Sequence, residues 1–234
     1  MSDAPYVLEF DRVTVLPDEH LSAGLREVSF ALRAGEVGIV QVEEGREHVP
    51  FADAAEGLVV PDQGCVTFRG EDWESMSAHR QANRRGLVRR VFHHYGWVSN
   101  LSILDNICLA ELHHTHRRLG EVIEEANALA RRFGLDGIPA ARPSRVPALA
   151  LRKLEWVRAL LGRPELVILE RPLFGAPRAD ASLLIAAVAE EARRGAAVLW
   201  LTDEPRVCGC RGFESCKRFG MQGEQLLPLA AEGA

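Results

Sequence analysis

Lysine is nearly missing from this sequence. Of 28 Lys plus Arg, only Lys153 and Lys217 are lysines, so a site that needs a flexible ammonium has two candidates. Aromatic residues make up 6% and methionines number three, and acidic residues outnumber basic ones 33 to 28, for a net charge of −5. That balance argues against nucleic-acid binding, which favours a basic domain. No run approaches the roughly eighteen apolar residues of a membrane-spanning helix. The opening Met1-Ser2-Asp3-Ala4-Pro5 has neither a basic region nor an apolar core, so no signal peptide is expected. The chain is expected in the cytoplasm, meeting a membrane only through a partner. Five cysteines in such a chain read as thiols rather than a disulfide framework. What remains is ordinary for a globular protein: 47% hydrophobic and 26% charged over 234 residues, enough for one large domain or one domain with two lobes.

Along the chain, residues 6–10 and 28–32 read as strands on either side of a turn-rich stretch around Pro17. Val37-Gly38-Ile39-Val40 is a short buried strand, residues 47–58 a helix with Pro50 in its first turn, and Cys65-Val66-Thr67-Phe68 another strand. From Ser75 to Arg90 the sequence is polar and basic, with Arg84, Arg85, Arg89 and Arg90, and is expected to form a solvated helix face. Helices follow at 102–116, 119–133, 149–162 and 180–194. Gly134 stops the second of these. Buried strands lie at Leu166-Val167-Ile168-Leu169 and Ala197-Val198-Leu199-Trp200-Leu201. The order predicts an α/β fold with a helical insertion.

The stretch Arg158-Ala159-Leu160-Leu161-Gly162-Arg163-Pro164-Glu165-Leu166-Val167-Ile168-Leu169-Glu170-Arg171-Pro172 resembles the ATP-binding-cassette (ABC) ATPase family, whose signature helix ends "ARALL…P" and whose next strand ends "LDEP". Val91-Phe92-His93-His94 resembles the "VFQ" of the family's Q-loop, and Leu101 to Ile107 its "LSVLENV" continuation. Gly35-Glu36 before a strand and Gly57-Leu58-Val59-Val60-Pro61-Asp62-Gln63-Gly64 are similar to the family's "GE" and "AGLLxPDSG". The pieces fall in order over residues 6 to about 205. The resemblance implies a P-loop NTPase-like cassette with a RecA-like core, an antiparallel β-subdomain and a helical subdomain. A single domain over 1–234 would divide into a core lobe (1–90 plus 163–234) and a helical lobe (91–162).

The same resemblance implies a nucleotide site whose chemical groups are gone. A phosphate loop needs G-x-x-x-x-G-K-[ST]: amides around the phosphates, a lysine against their charge and a hydroxyl for Mg²⁺. Here the segment after Val40 reads Gln41-Val42-Glu43-Glu44-Gly45-Arg46-Glu47-His48-Val49, so Glu47 holds the lysine position, Arg46 the preceding glycine and His48 the hydroxyl. An anion about 4 Å from a phosphate turns attraction into repulsion worth a few kcal/mol at intermediate dielectric. The signature "LSGGQ" falls on Val146-Pro147-Ala148-Leu149-Ala150 and the D-loop aspartate on Pro177. The switch histidine falls on Asp203 and the Q-loop glutamine on His93, and no aromatic stands at the adenine-stacking position near Leu16. The Walker B pair falls on Glu170-Arg171. Glu170 keeps the capacity to hold a metal through water, but Arg171 stays protonated and cannot act as a base.

The expectation is therefore a pseudo-ATPase: no catalytic residues, no cofactor and no metal. It would be a non-catalytic cassette subunit of a bacterial transporter, held on the cytoplasmic face of the inner membrane by a permease and a second cassette. His93, His94, Tyr95 and Trp97 stand where the family's Q-loop meets the permease and are the expected docking residues. Leu109-Ala110-Glu111-Leu112-His113-His114-Thr115 resembles the "LPLREHT" of cassettes in MCE-type phospholipid-trafficking transporters, as does Trp73-x-x-Met76-Ser77, which points to lipid cargo and MCE-type partners. His113, His114 and His116 lack a visible third metal ligand and read as an exposed polar face; Cys208, Cys210 and Cys216 read as free thiols. Two alternatives stay open. One is an active ATPase in which Arg46 and Arg171 replace the lysine. The other is a soluble adaptor with no transporter.

Overall fold

The computed structural model describes residues 5–19, 23–43, 49–94, 96–204, 207, 212–213 and 216–229. Two sheets carry the described chain. The first is antiparallel, in the order β2-β1-β4-β5, from β1 (Tyr6–Val15), β2 (Leu25–Arg33), β4 (Gln63–Phe68) and β5 (Glu71–Asp72). The second has the order β10-β9-β3-β8-β7-β6, from β3 (Val37–Gln41), β6 (Val88–Val91), β7 (Leu166–Glu170), β8 (Ala197–Thr202), β9 (Cys216–Gln222) and β10 (Gln225–Pro228). Its five strands from β9 to β6 run parallel, and β10 pairs antiparallel at the edge. Both faces of the parallel strands are covered, which is why β7 and β8 read as unbroken apolar runs.

Between the sheets, Phe10 stacks on Phe51 at 4.8 Å between ring centroids and Phe30 meets both Phe51 and Phe219 edge-on. On the other face of the parallel sheet lie α3 (Ile103–His114), α4 (Leu119–Arg132), α5 (Ala148–Leu160) and α6 (Arg178–Arg193). One buried cluster runs from Ile103, Phe133 and Trp156 on these helices to Leu169 and Trp200 in the sheet, so the helical lobe shares its core with the sheet. The helix borders follow local chemistry. Ser102 and Asp105 form a reciprocal capping box at the start of α3, and Gly134 at φ +74 ends α4.

The two lysines act as bolts. Lys153 on α5 reaches Asp180 of α6 and the Phe133 carbonyl, both at 3.0 Å. Lys217 on β9 reaches the Ala31 carbonyl at 2.9 Å and Glu36 at 2.6 Å, tying one sheet to the other.

Two expectations are corrected here. The helix expected over 47–58 is, among the described residues, only α1 (Phe51–Ala55), with Pro50 at its N-cap. It ends at Gly57, whose φ of +63 and contact with the Trp73 ring leave no room for a side chain: an added Cβ would lie 2.5 Å from that ring. The basic stretch divides. Arg84 and Arg85 lie on α2 (Ala78–Arg85), but Arg89 and Arg90 belong to β6 and are buried, 7% exposed each. A charge run signals a solvated face only while nothing supplies counter-charges, and here the fold supplies them.

Candidate functional site

In doubly wound sheets, ligands meet the chain beyond the carboxyl ends of the parallel strands. Gln41 at the end of β3 pairs in register with Thr202 of β8, and Glu170 at the end of β7 with Leu201. The amide of Val42 donates to the Thr202 carbonyl at 2.9 Å. This edge gathers the positions expected of a nucleotide site. Glu44, Arg46, Glu47 and His48 lie outside the described residues, as does Tyr95. Pro50, three positions beyond Glu47, caps α1 with a residue that has no N–H, so it offers no amide to an anion where a longer helix would.

Beneath this edge lies a buried ion cluster that the sequence did not disclose. Arg90 donates through Nη1 to Asp53 Oδ1 and Glu56 Oε2, both at 2.7 Å, and through Nε to Glu170 Oε1 at 2.5 Å. The Arg90 side chain is 4% exposed. Asp53 and Glu56 face it together because they stand three apart on α1. Burial works against the charge on Arg90, but the hydrogen bond to Glu170 and the fields of Glu170, Glu56 and Asp53 outweigh it and hold the guanidinium charged more firmly than in free arginine. Glu56 moves the other way: burial raises its pKa despite Arg90. The carboxylate expected to hold a metal through water is thus engaged on an arginine. Among the described residues no group of three or more His, Cys, Asp or Glu side chains is arranged to hold a metal ion.

Arg171 completes the edge. Its backbone is left-handed, φ +41, and its amide donates to the Leu201 carbonyl at 2.8 Å. A long side chain in that region costs about 1–3 kcal/mol and persists only where the surroundings impose it. Its guanidinium donates to the Glu43 carbonyl at 2.9 Å and lies 3.6 Å from Asp203 Oδ2. The Walker B base position and the switch position therefore pair with each other, and the arginine also grips the start of the phosphate-loop segment.

The signature positions follow suit. Pro147 caps α5 without a side-chain hydrogen bond, and Leu149 is 40% exposed where a glycine amide would be needed. Pro177 caps α6.

The docking segment passes over α5. Arg152 donates to the Phe92 carbonyl at 3.3 Å and Arg158 to the Gly96 carbonyl at 2.5 Å. The Arg158 guanidinium also covers the Trp97 ring at 4.5 Å. Trp97 is half-buried against the helical core, while His94 is exposed and its ring meets that of His93 edge-on. His93 lies 6.3 Å from the exposed ring of Phe174.

The remaining candidates stay apart from this edge. His113 and His114 end α3 beside a cleft of about 1210 Å³ between the helical lobe and the opposite edge of the sheet. Of the arginines that line this cleft, Arg89, Arg117, Arg132 and Arg194 are paired with glutamates. Cys216 begins β9, and Cys208 and Cys210 lie outside the described residues.

No family model matches the chain. It is 25% identical over 205 residues to the uncharacterized ABC transporter ATP-binding protein YphE of Escherichia coli, a match covering 86% of this chain and 40% of that protein. It is 24% identical over 162 residues to the molybdate/tungstate import ATP-binding protein WtpC of Pyrococcus horikoshii, covering 69% and 45%. With the octopine permease ATP-binding protein P of Rhizobium meliloti it shares 30% over 158 residues, covering 63% and 60%. The chain spans less than half the length of the first two relatives. Its fold matches a dimeric bacterial ABC transporter cassette, MJ0796, at a TM-score of 0.82 over 97% of this chain and 100% of that one, with 14% identity. In sequence the chain is similar to ATP-binding proteins of ABC transporters, and its fold is that of an ATP-binding cassette.

Proposed function

We propose that this chain is a non-catalytic ATP-binding-cassette subunit of a bacterial ABC transporter, docked on a membrane permease and paired with a second cassette. One observation carries the reading: the groups at the Walker B and switch positions are already committed to partners within the chain. Glu170 is held by Arg90, and Arg171 by Glu43 and Asp203. A nucleotide would have to break these contacts and would find a carboxylate at position 47 rather than an ammonium. No helix among the described residues is long and apolar enough to cross a membrane, so a place at the cytoplasmic face depends on the permease.

For cargo we propose lipid, with MCE-type partners, on the two short segments that resemble such cassettes. Both also have duties within the fold. Trp73 donates to the Ala55 carbonyl, Ser77 caps α2, and Thr115 closes α3 on the Glu111 carbonyl. The relatives are named for import of ribose, molybdate/tungstate and phosphonates, and another as an octopine permease ATP-binding protein, so co-purification that yields a permease but no lipid-binding partner would overturn the cargo and leave the subunit reading.

The test of the central reading is Mg-ATP binding by calorimetry and thermal shift at millimolar nucleotide. Stabilisation follows RT ln(1 + [L]/Kd). No heat and no shift are expected. A clear shift would overturn the reading and favour an active site built around arginine.

A further inference from the structure

Glu155 lies at the centre of α5 and is fully buried. Arg152 and Arg158 stand three residues to either side of it, on the same face of the helix. Glu155 Oε2 accepts from Arg152 at 2.8 Å, and Arg152 and Arg158 in turn hold the carbonyls of Phe92 and Gly96. One buried carboxylate thus sits between two guanidiniums that grip both ends of the segment 92–96. Glu155 Oε1, Arg158 Nη2 and Trp97 Nε1 are among the buried side-chain atoms here that have no hydrogen-bond partner. Buried polar groups are paired in the great majority of cases, so such orphans within one contact group mark an arrangement poised to change.

We propose that Glu155 is a proton-operated latch on Phe92, Gly96 and Trp97, closed when ionised and open when protonated. Its importance for docking rests on the subunit reading above, but the latch itself is a property of the isolated chain. With Glu155 ionised, its charge keeps both guanidiniums turned inward, on the Phe92 and Gly96 carbonyls. Once it is neutral, the buried Arg158 guanidinium loses the charge that draws it inward, and the cheapest relief is its rotation toward solvent, which frees Gly96 and uncovers Trp97.

The surroundings place this change in the physiological range. Burial raises the Glu155 pKa from 4.5 to about 7, against the pull of Arg152, Arg158 and the Gly96 amide. Burial pushes Arg158 down, and Glu155 opposes that. The charged groups acting on Glu155 come from its own helix. From the facing segment comes the Gly96 amide; that segment also carries His93 and His94, and Arg90 of β6 lies over the Phe92 ring at 4.7 Å.

The test follows Trp97 by fluorescence and acrylamide quenching from pH 5.5 to 8.5, in the full chain and with Trp97→Phe as the blank that removes Trp73, Trp156 and Trp200. The expected result is a quenching constant at least twofold higher on the acid side, with a midpoint near pH 7. Glu155→Gln should abolish the transition and hold Trp97 in its acid-side state at every pH. His93→Asn/His94→Asn should keep the transition, separating Glu155 from the neighbouring imidazoles. A flat profile in the wild type, or a transition that survives Glu155→Gln and vanishes in the double histidine variant, would overturn the latch. Capture of the permease is a separate measurement: its failure at every pH would sink the docking reading and leave the latch standing.

Discussion

Two buried arginine–glutamate clusters, on either side of Phe92, behave as opposites. At the seat, one guanidinium serves three carboxylates: Arg90 with Asp53, Glu56 and Glu170. Under the docking segment, two guanidiniums share one carboxylate: Arg152 and Arg158 with Glu155. The first uses Arg90 through Nε and Nη1, and none of its side-chain atoms is a buried orphan. The second leaves Glu155 Oε1 and Arg158 Nη2 without partners. A saturated cluster has one good arrangement and is costly to disturb, while an unsaturated one is close in energy to its alternatives. The contrast assigns rigidity to the cluster around Arg90 and responsiveness to the contacts of Phe92, Gly96 and Trp97.

The sharpest way to break that comparison is Arg90→Leu. It strands three carboxylates in a buried site, and a loss of about 3–5 kcal/mol is expected from urea unfolding at pH 8. The loss should shrink on acidification as Glu56, whose pKa burial raises, takes up a proton. A loss under 1 kcal/mol would mean the seat is no more rigid than the latch.

Glu155→Gln should act in the opposite direction. Because the folded value of about 7 lies above the unfolded 4.5, the folded chain gains a proton between these limits. The stability that goes with the neutral form is complete below pH 4.5 and lost as pH rises through 7. The variant should therefore be more stable than the wild type by about 1–3 kcal/mol at pH 8, with the gap closing toward pH 5. Equal stability at both pH values would remove the contrast.

The smallest expected effect is a null result. Restoring the phosphate-loop lysine alone, by Glu47→Lys, should leave the chain without stabilisation by millimolar Mg-ATP, since Arg90 still holds Glu170 and Arg171 still holds Asp203. A clear thermal shift in that single variant would show that one charge, and not the seat as a whole, excludes nucleotide.

The architecture was legible because its signals are local. Unbroken apolar runs announced β7 and β8, and the Leu119, Val122, Ile123, Ala126 and Ala130 spacing announced α4. The ion clusters were not legible. The partners of Arg90 lie 37, 34 and 80 residues away, so only the fold reveals that β6 carries a buried cation. Glu155 was hidden for a different reason. On a helix with Leu151, Leu154, Val157 and Leu161 on one face it reads as a solvated residue, yet the segment 92–97 covers that face as well. α1 came out shorter than expected because Pro50 and Gly57 bracket it within a few residues.

The scarcity of lysine has a practical corollary. Lys153 joins α5 to α6 and Lys217 joins the two sheets, each already held by a carbonyl and a carboxylate. Reagents that couple to side-chain amines meet two targets in the entire sequence, neither of them idle. Labelling at Lys153 would time the parting of the helical lobe from α6, and labelling at Lys217 the parting of one sheet from the other. The chain thus carries a built-in pair of reporters for its own breathing, readable by mass spectrometry without adding a single residue.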